Sequence, residues 1–211
     1  MKKFLMTECY FCSKLATTKE HIPPKSFFLG RDINPKRLIR VPSCEEHNTD
    51  KSADDEYFRN LISLEIHGGD EGIRLFEKKT YKSLSGSPGK YKNILNLPQE
   101  VIVNGQKTMK FEVEKSRIEN YFNKMACGIY YFETNNKSHQ NFYIEPLSLL
   151  PDIPEYLGLK NYDKANNYFF PKRGAYPEIF FYQMIIKNNE FLGIRLGFMG
   201  EIIILAMKPQ I

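Results

Sequence analysis

The chain has 211 residues, of which 42% are hydrophobic and 14% aromatic, so it carries enough apolar side chain for packed cores in one or two domains. No apolar run approaches the roughly 20 residues that cross a bilayer as a helix, which excludes a helical membrane protein. The net charge of +5 is compatible with a polyanionic partner but too small to demand one. Three of the four cysteines lie within the first 44 residues and Cys127 stands alone, a poor disulfide framework and a good metal site. Met1–Met6 holds two lysines and a short apolar run without the longer hydrophobic region of a secretory signal. A cytoplasmic protein in a reducing compartment is the expectation.

The first segment reads Cys9-Tyr-Phe-Cys12, then Glu20-His21-Ile22-Pro23-Pro24, then Cys44-Glu-Glu-His47-Asn48. Cys-x-x-Cys and Cys-x-x-His separated by about 30 residues is zinc-ligand spacing. Four ligands fill a tetrahedral zinc, so this ion would be structural. Between the two pairs, Lys14, Lys19, Lys25, Arg31, Lys36, Arg37 and Arg40 outnumber Glu20 and Asp32. Such a bias suits a solvated face or a phosphate-contacting surface, and its position around Glu20-His21 favours phosphate.

A helix is predicted from Ser52, with Ser52-x-x-Asp55 as its cap and Tyr57, Phe58, Leu61, Ile62 and Ile66 at helical spacing. Asp54, Asp55 and Glu56 suit its positive end. Gly68-Gly69 ends it, and a second helix follows from Asp70 with Ile73, Leu75 and Phe76 facing inwards. His67 suits the helix end, and His139, in a polar loop, has no evident role. Ser85-Gly-Ser-Pro-Gly is a loop and marks a boundary. Val101–Phe111 with Asn104-Gly105 signals a hairpin. Ser116-Arg-Ile-Glu119 reads as a capping box before the amphipathic run Ile118, Tyr121, Phe122, Met125, Ile129, which also holds Cys127 as a buried structural thiol. Residues 133–177 read as irregular; Phe169 and Phe170 there suit core packing rather than base stacking. Ile179–Ile186, Phe191–Phe198 and Ile202–Met207 read as three antiparallel strands.

Glu20, His21 and Asn48 lie outside the four-ligand set but inside or against its frame. A histidine can take a proton from water, while a carboxylate and an amide oxygen suit a hard cation. These are the parts for metal-assisted phosphodiester hydrolysis.

At these residues the chain resembles the HNH endonucleases, the ββα-metal nuclease module with a zinc-knuckle pair. The likeness rests on Cys9-x-x-Cys12, Glu20-His21-Ile22-x-Pro24 and Cys44-x-x-His47-Asn48-x-x-Lys51, with support from Val41-Pro-Ser-Cys44 and Ser52-x-Asp54-Asp55-Glu56-Tyr57-Phe58, and covers roughly residues 5–65. It implies His21 as general base, Glu20 and Asn48 as ligands of a catalytic Mg2+ or Mn2+, and Cys9, Cys12, Cys44 and His47 as ligands of structural Zn2+. The family's middle asparagine, which orients the base histidine through its loop, would be Asn34. Glu20 stands where Asp is commoner and His47 where a fourth Cys is commoner. Lys19, Lys25, Arg37, Arg40 and Lys51 are the expected nucleic-acid contacts.

The expectation is therefore an α+β chain. Residues 1–84 form a zinc-framed ββα-metal, treble-clef-like nuclease module with attached helices, 85–98 a linker, and 99–211 an α+β domain with an antiparallel sheet that serves specificity, sensing or dimerisation. The expected activity is cleavage of DNA, with RNA left open as the polymer, in a setting such as phage defence or restriction. A homodimer or a regulatory partner is also left open. The alternative is a non-catalytic zinc-knuckle module that binds nucleic acid or protein.

Overall fold

A computed structural model of the chain describes residues 7–28, 32–49, 52–64, 69–86, 96–103, 105–147, 170–200 and 202–209. Met1–Met6, Arg31, Lys51, Ile66, His67, Gly68, residues 87–89 of the expected loop, Asn104 and Phe169, named above, lie outside the described residues. The architecture is mixed α+β, and its sheets are antiparallel. Among the described residues, no helix is long and apolar enough to cross a membrane.

The N-terminal part is a hairpin of β1 (Thr18–Ile22) and β2 (Ile39–Ser43), followed by the one-turn helix α1 (Glu45–Asn48) and then α2 (Ser52–Leu64). The hairpin register sets Glu20 opposite Val41 and His21 opposite Arg40. Next come α3 (Gly69–Leu75), a π-helical turn over Phe76–Thr80 and α4 (Tyr81–Ser85). Leu75 is buried as expected and Phe76 packs against the core, but Ile73 is 59% exposed. Helical spacing predicted an inward Ile73. Leu75 and Thr80 take the buried face instead, and Ile73 lies on the turn away from it.

β3 (Asn96–Val103) and β4 (Gln106–Glu112) form the expected hairpin, with Gly105 at φ +78°. Its first strand begins within the segment expected as a linker. The long helix α5 (Lys115–Thr134) starts with Glu114 at its N-cap position, where no side chain caps it. Ser116 therefore lies within the first turn, and the predicted Ser116–Glu119 box is replaced by a start two residues earlier. Asn135, at φ 54°, closes the helix in the left-handed conformation that suits Asn.

The second sheet has five strands in the order β5 (Tyr143–Glu145), β9 (Ile202–Met207), β8 (Glu190–Phe198), β7 (Phe180–Lys187), β6 (Arg173–Tyr176). The three predicted strands are β7, β8 and β9. Asn188 and Asn189 both adopt positive φ in a two-residue turn, which Asn tolerates and which matches strand twist. β5 and β6 fall in the stretch read as irregular. They are three and four residues long, too short to carry a period-2 signal.

β7 and β9 are apolar on both faces. Phe180, Tyr182, Ile202 and Ile204 join the main core, while Phe181, Ile185, Ile203 and Leu205 form a second cluster. The main core runs from Cys9 and Tyr10 through the β1–β2 hairpin, α2 and α5 to the five-stranded sheet. Helix α5 touches β1 and β2 as well as β5 and β9. Its buried face carries Ile118, Tyr121, Phe122, Met125 and Ile129. Phe58 of α2 stacks on Tyr121 at 4.1 Å between centroids and meets Phe122 edge-on at 5.4 Å, and Phe122 meets Phe198 of β8 at 5.8 Å. Phe27 also reaches Phe198, at 5.7 Å. Side chains from both sides of the expected boundary thus share one core.

Truncating Phe58, which is wholly buried, should cost about 3–5 kcal/mol. Urea unfolding of Phe58→Ala, followed by circular dichroism and by tyrosine fluorescence, should show that loss. The two probes should trace one coincident transition, because the core that Phe58 anchors spans both segments.

Candidate metal centre and adjoining cleft

The N-terminal knuckle is a tight turn in which the Cys9 N–H donates to the Lys14 carbonyl at 2.8 Å and Ala16 N–H to Thr7 at 2.9 Å. Tyr10 N–H donates to Pro42 of β2 at 2.9 Å, which fastens the knuckle to the hairpin. The second ligand pair lies where β2 turns into α1: Cys44 is the helix N-cap and His47 sits one turn later. Metal-ligating atoms of Cys9, Cys12, Cys44 and His47 all lie within 4.8 Å of one another. The Cys12 and Cys44 sulfurs are 3.8 Å apart, His47 Nδ1 is 3.8 Å from Cys9 Sγ and 3.1 Å from Cys44 Sγ. Zinc–sulfur bonds of about 2.3 Å in a tetrahedron put ligand atoms about 3.8 Å apart. The donor set and its spacing therefore fit a structural metal such as zinc. Burial raises the Cys9 thiol, but backbone donors from Phe11, Cys44 and Cys12 outweigh it and hold the thiol below its usual value, as a thiolate ligand requires. Burial pushes Cys44 up and His47 down, so His47 offers a neutral ring nitrogen. Phe11 packs on the His47 ring at 4.9 Å. Lys14 pairs with Glu46 and Lys137 with Glu8, and Lys137 also donates to the Cys12 carbonyl at 2.8 Å.

Beside this cluster opens a cleft of about 640 Å³ that brings Glu20, His21 and Asn48 together. Glu20, only 2% exposed, lies at its base, and its carboxylate accepts from Ser43 Oγ at 3.4 Å. Asn48 follows the ligand His47, and its N–H closes a helical turn onto the Cys44 carbonyl at 3.2 Å. Its side-chain nitrogen donates to Thr18 Oγ1 at 3.0 Å, and Thr18 in turn donates to the Ser43 carbonyl at 3.0 Å. With the nitrogen so engaged, the amide oxygen is the end left for a cation. His21 is half-buried, and burial, then the charges of Lys25 and Arg40, pull its pKa from 6.5 to about 4. Its imidazole is neutral at physiological pH, the form that accepts a proton.

Of the expected phosphate contacts, Lys19 and Lys25 line the cleft, and Arg40 faces His21 across the hairpin. Arg37 lies over the ring of Tyr176 instead, 5.6 Å from its centroid. Asn34 caps a short turn: its Oδ1 accepts from Lys36 N–H at 3.0 Å, and its own N–H donates to the Tyr176 hydroxyl at 2.7 Å. It organises the β1–β2 connection and ties it to the sheet. Cys127 is a buried thiol that burial pushes up to about 12, as a structural role requires.

The far wall of the cleft was not anticipated. It is built by Ser52, Asp55, Glu56 and Arg59 of α2 and by Lys79 of the π-helical turn. The available signal was Arg59 itself, a charged residue inside the apolar stripe between Phe58 and Leu61. Asp55 accepts from the Tyr121 hydroxyl at 3.0 Å, and Asp54 pairs with Arg117 at 2.7 Å, so two of the three helix-start acids dock α2 on α5.

Two measurements check this centre. Elemental analysis should find one zinc per chain, and Cys12→Ser or chelation should release it and lower the melting temperature. In proton-detected titrations of labelled histidine, His21 should stay neutral until well below pH 6. The sign for stability follows: the unfolded chain takes up this proton near 6.5 and the folded chain near 4, so stability falls as pH drops through that window. A zinc-loaded His21→Gln protein should lose less over the same range. Comparison of the chain with protein-family models, curated proteins and solved structures gave no match.

Proposed function

We propose that the protein is a metal-dependent endonuclease of the HNH kind, which hydrolyses phosphodiester bonds of DNA. The observation that carries this reading is the meeting of Glu20, His21 and Asn48 in one open cleft beside a Cys3His cluster. In this reading the cluster holds zinc and keeps a structural role, because all four positions of the ion are taken. Glu20 and Asn48 are the residues that would hold Mg2+ or Mn2+. Such an ion, when bound, would stabilise the charge that develops on the phosphate and the leaving oxygen.

The chain's own residues supply the rest. The neutral imidazole of His21 takes a proton from water as the water oxygen bonds to phosphorus, and the bond from phosphorus to the leaving sugar oxygen breaks. Thr18 holds the Asn48 amide in place, and the buried position of Glu20 lowers the local dielectric, which strengthens its hold on a cation. Lys19 and Lys25 carry exposed positive charge at the rim and offset the charge of the substrate backbone. The ββα-metal assignment of the hairpin and the following helices belongs to the same proposal, as does a role for the sheet in target choice, sensing or dimerisation.

Plasmid cleavage by zinc-loaded protein in magnesium and in manganese tests it. His21→Ala at equal zinc content should lower the rate by about 10²–10⁴-fold, and Glu20→Ala and Asn48→Ala should raise the magnesium requirement. Full activity in His21→Ala would sink the mechanism. A wild-type protein that binds nucleic acid with zinc present yet never cuts would instead be a zinc-dependent binding module.

A further inference from the structure

The helical wall of the cleft carries a charge that the nuclease proposal does not use. Arg59 lines the cleft, yet its side chain is only 6% exposed. Its Nε and Nη2 both donate to Oδ1 of Asn60, at 3.3 and 2.9 Å. Asn60 is fully buried, and the same oxygen accepts from Thr80 Oγ1 at 3.1 Å. The Ser63 hydroxyl lies 2.7 Å from Thr80 Oγ1 and 2.8 Å from the Asn60 carbonyl, and its one proton serves either of them. The guanidinium is thus held by a neutral acceptor, and its carboxylate contact, Glu56, is 3.7 Å away. A guanidinium presents five donors, of which Asn60 takes two. An oriented arginine with donors to spare, gripped from behind by an amide, is suited to a planar oxyanion.

The network also brings in a second cation. Thr80 follows Lys79, which is exposed and lines the same cleft. The Asn60–Thr80 bond therefore ties the π-helical turn to α2, and Lys79 and Arg59 line the same cleft. Extra-residue turns of this type recur at functional sites.

We propose that Arg59, with Lys79 beside it, is the phosphate-binding subsite of the helical wall, and that it takes a backbone phosphodiester of the nucleic-acid strand across the cleft from His21. This rests on the nuclease reading for its ligand, and it makes α2 and the π-helical turn part of the site rather than an attachment to it. Asn60 acts through Arg59 and is a positioning residue.

The test measures binding, apart from cleavage. A His21→Ala background, zinc-loaded and in calcium, is titrated with a fluorescent 20-base-pair DNA duplex over a range of salt. Arg59→Met, which keeps bulk and removes charge, should weaken binding about tenfold at low salt and reduce the log–log salt slope by about 1. Arg59→Lys should fall between. Asn60→Asp leaves the arginine in place and puts a carboxylate under it, so it too should weaken binding, which a merely structural role for Asn60 does not require. Arg59→Met with wild-type affinity and slope overturns the subsite and leaves the nuclease untouched. A parent that does not bind nucleic acid at all overturns both. Should Arg59→Met fail to fold, the exposed Lys79→Ala decides: about threefold weaker binding with a shallower slope supports the subsite, and unchanged binding together with unchanged Asn60→Asp overturns it.

Discussion

The convergence of Cys9, Cys12, Cys44 and His47 is the constraint on which the cleft depends. It joins a knuckle at the start of the chain to the corner between β2 and α1, and Asn48 is the next residue after the last ligand. Without that junction a one-turn helix has too few internal hydrogen bonds to persist. The cluster does not work alone, because the hairpin also lies against α5. A Cβ added at Gly128 would come within 1.9 Å of Ile22 Cδ1, so the glycine leaves room for the Ile22 side chain of β1 against the helix. One side of the hairpin is set by ligation and the other by close packing.

The two walls of the cleft are consequently held by different physics. The hairpin wall, with Glu20, His21 and Lys19, answers to the four-ligand cluster and to the Thr18–Ser43–Asn48 hydrogen bonds. The helical wall, with Arg59 and Lys79, answers to the Asn60–Thr80–Ser63 network and to the Phe58–Tyr121–Phe122 aromatic contacts. Buried polar networks of this kind add little net stability per bond, and in this one the Asn60 oxygen gathers Arg59 and Thr80 while its Nδ2 has no hydrogen-bond partner among the described residues. The four-ligand cluster thus bears directly on the hairpin wall, while the helical wall rests on the packing of α2 against α5 and the π-helical turn.

What the sequence made legible follows the range of the interactions. Cys-x-x-Cys and Cys-x-x-His are local patterns, and the ligand set could be read from spacing because each pair needs only one turn to form. Strands β7 to β9 carry long apolar runs and the turn chemistry of Asn188-Asn189, so they too were readable. β5 and β6 were not, since three or four residues become strands only by pairing with β9 and β7. Ile73 was misplaced because helical period gives a face but not which face finds a partner. Arg59 was passed over for a related reason. The aromatic and aliphatic residues around it signalled a core stripe, and what turns its charge to use is Asn60 and Thr80, the latter 20 residues away in sequence. Asn34, which motif order nominated as the residue that orients the base histidine through its loop, caps a turn in the β1–β2 connection, with its amide oxygen on Lys36 and its N–H on Tyr176.

That last contact gives the sheet a route to the site. Tyr176 of β6 accepts from Asn34, lies under Arg37 and meets Phe28 at 6.0 Å, so one aromatic side chain gathers both ends of the β1–β2 connection. Phe27 extends the same attachment to Phe198 of β8. Tyr176 thereby joins β6 to the connection between His21 and Arg40, the two residues that face each other across the hairpin. Because Arg40 and Lys25 both help to keep His21 neutral, their distance from it sets how readily that imidazole takes a proton. The sheet is then more than a platform: through Tyr176 it is tied to the connection that leads to Arg40, one of the two charges that, after burial, keep the proposed base neutral.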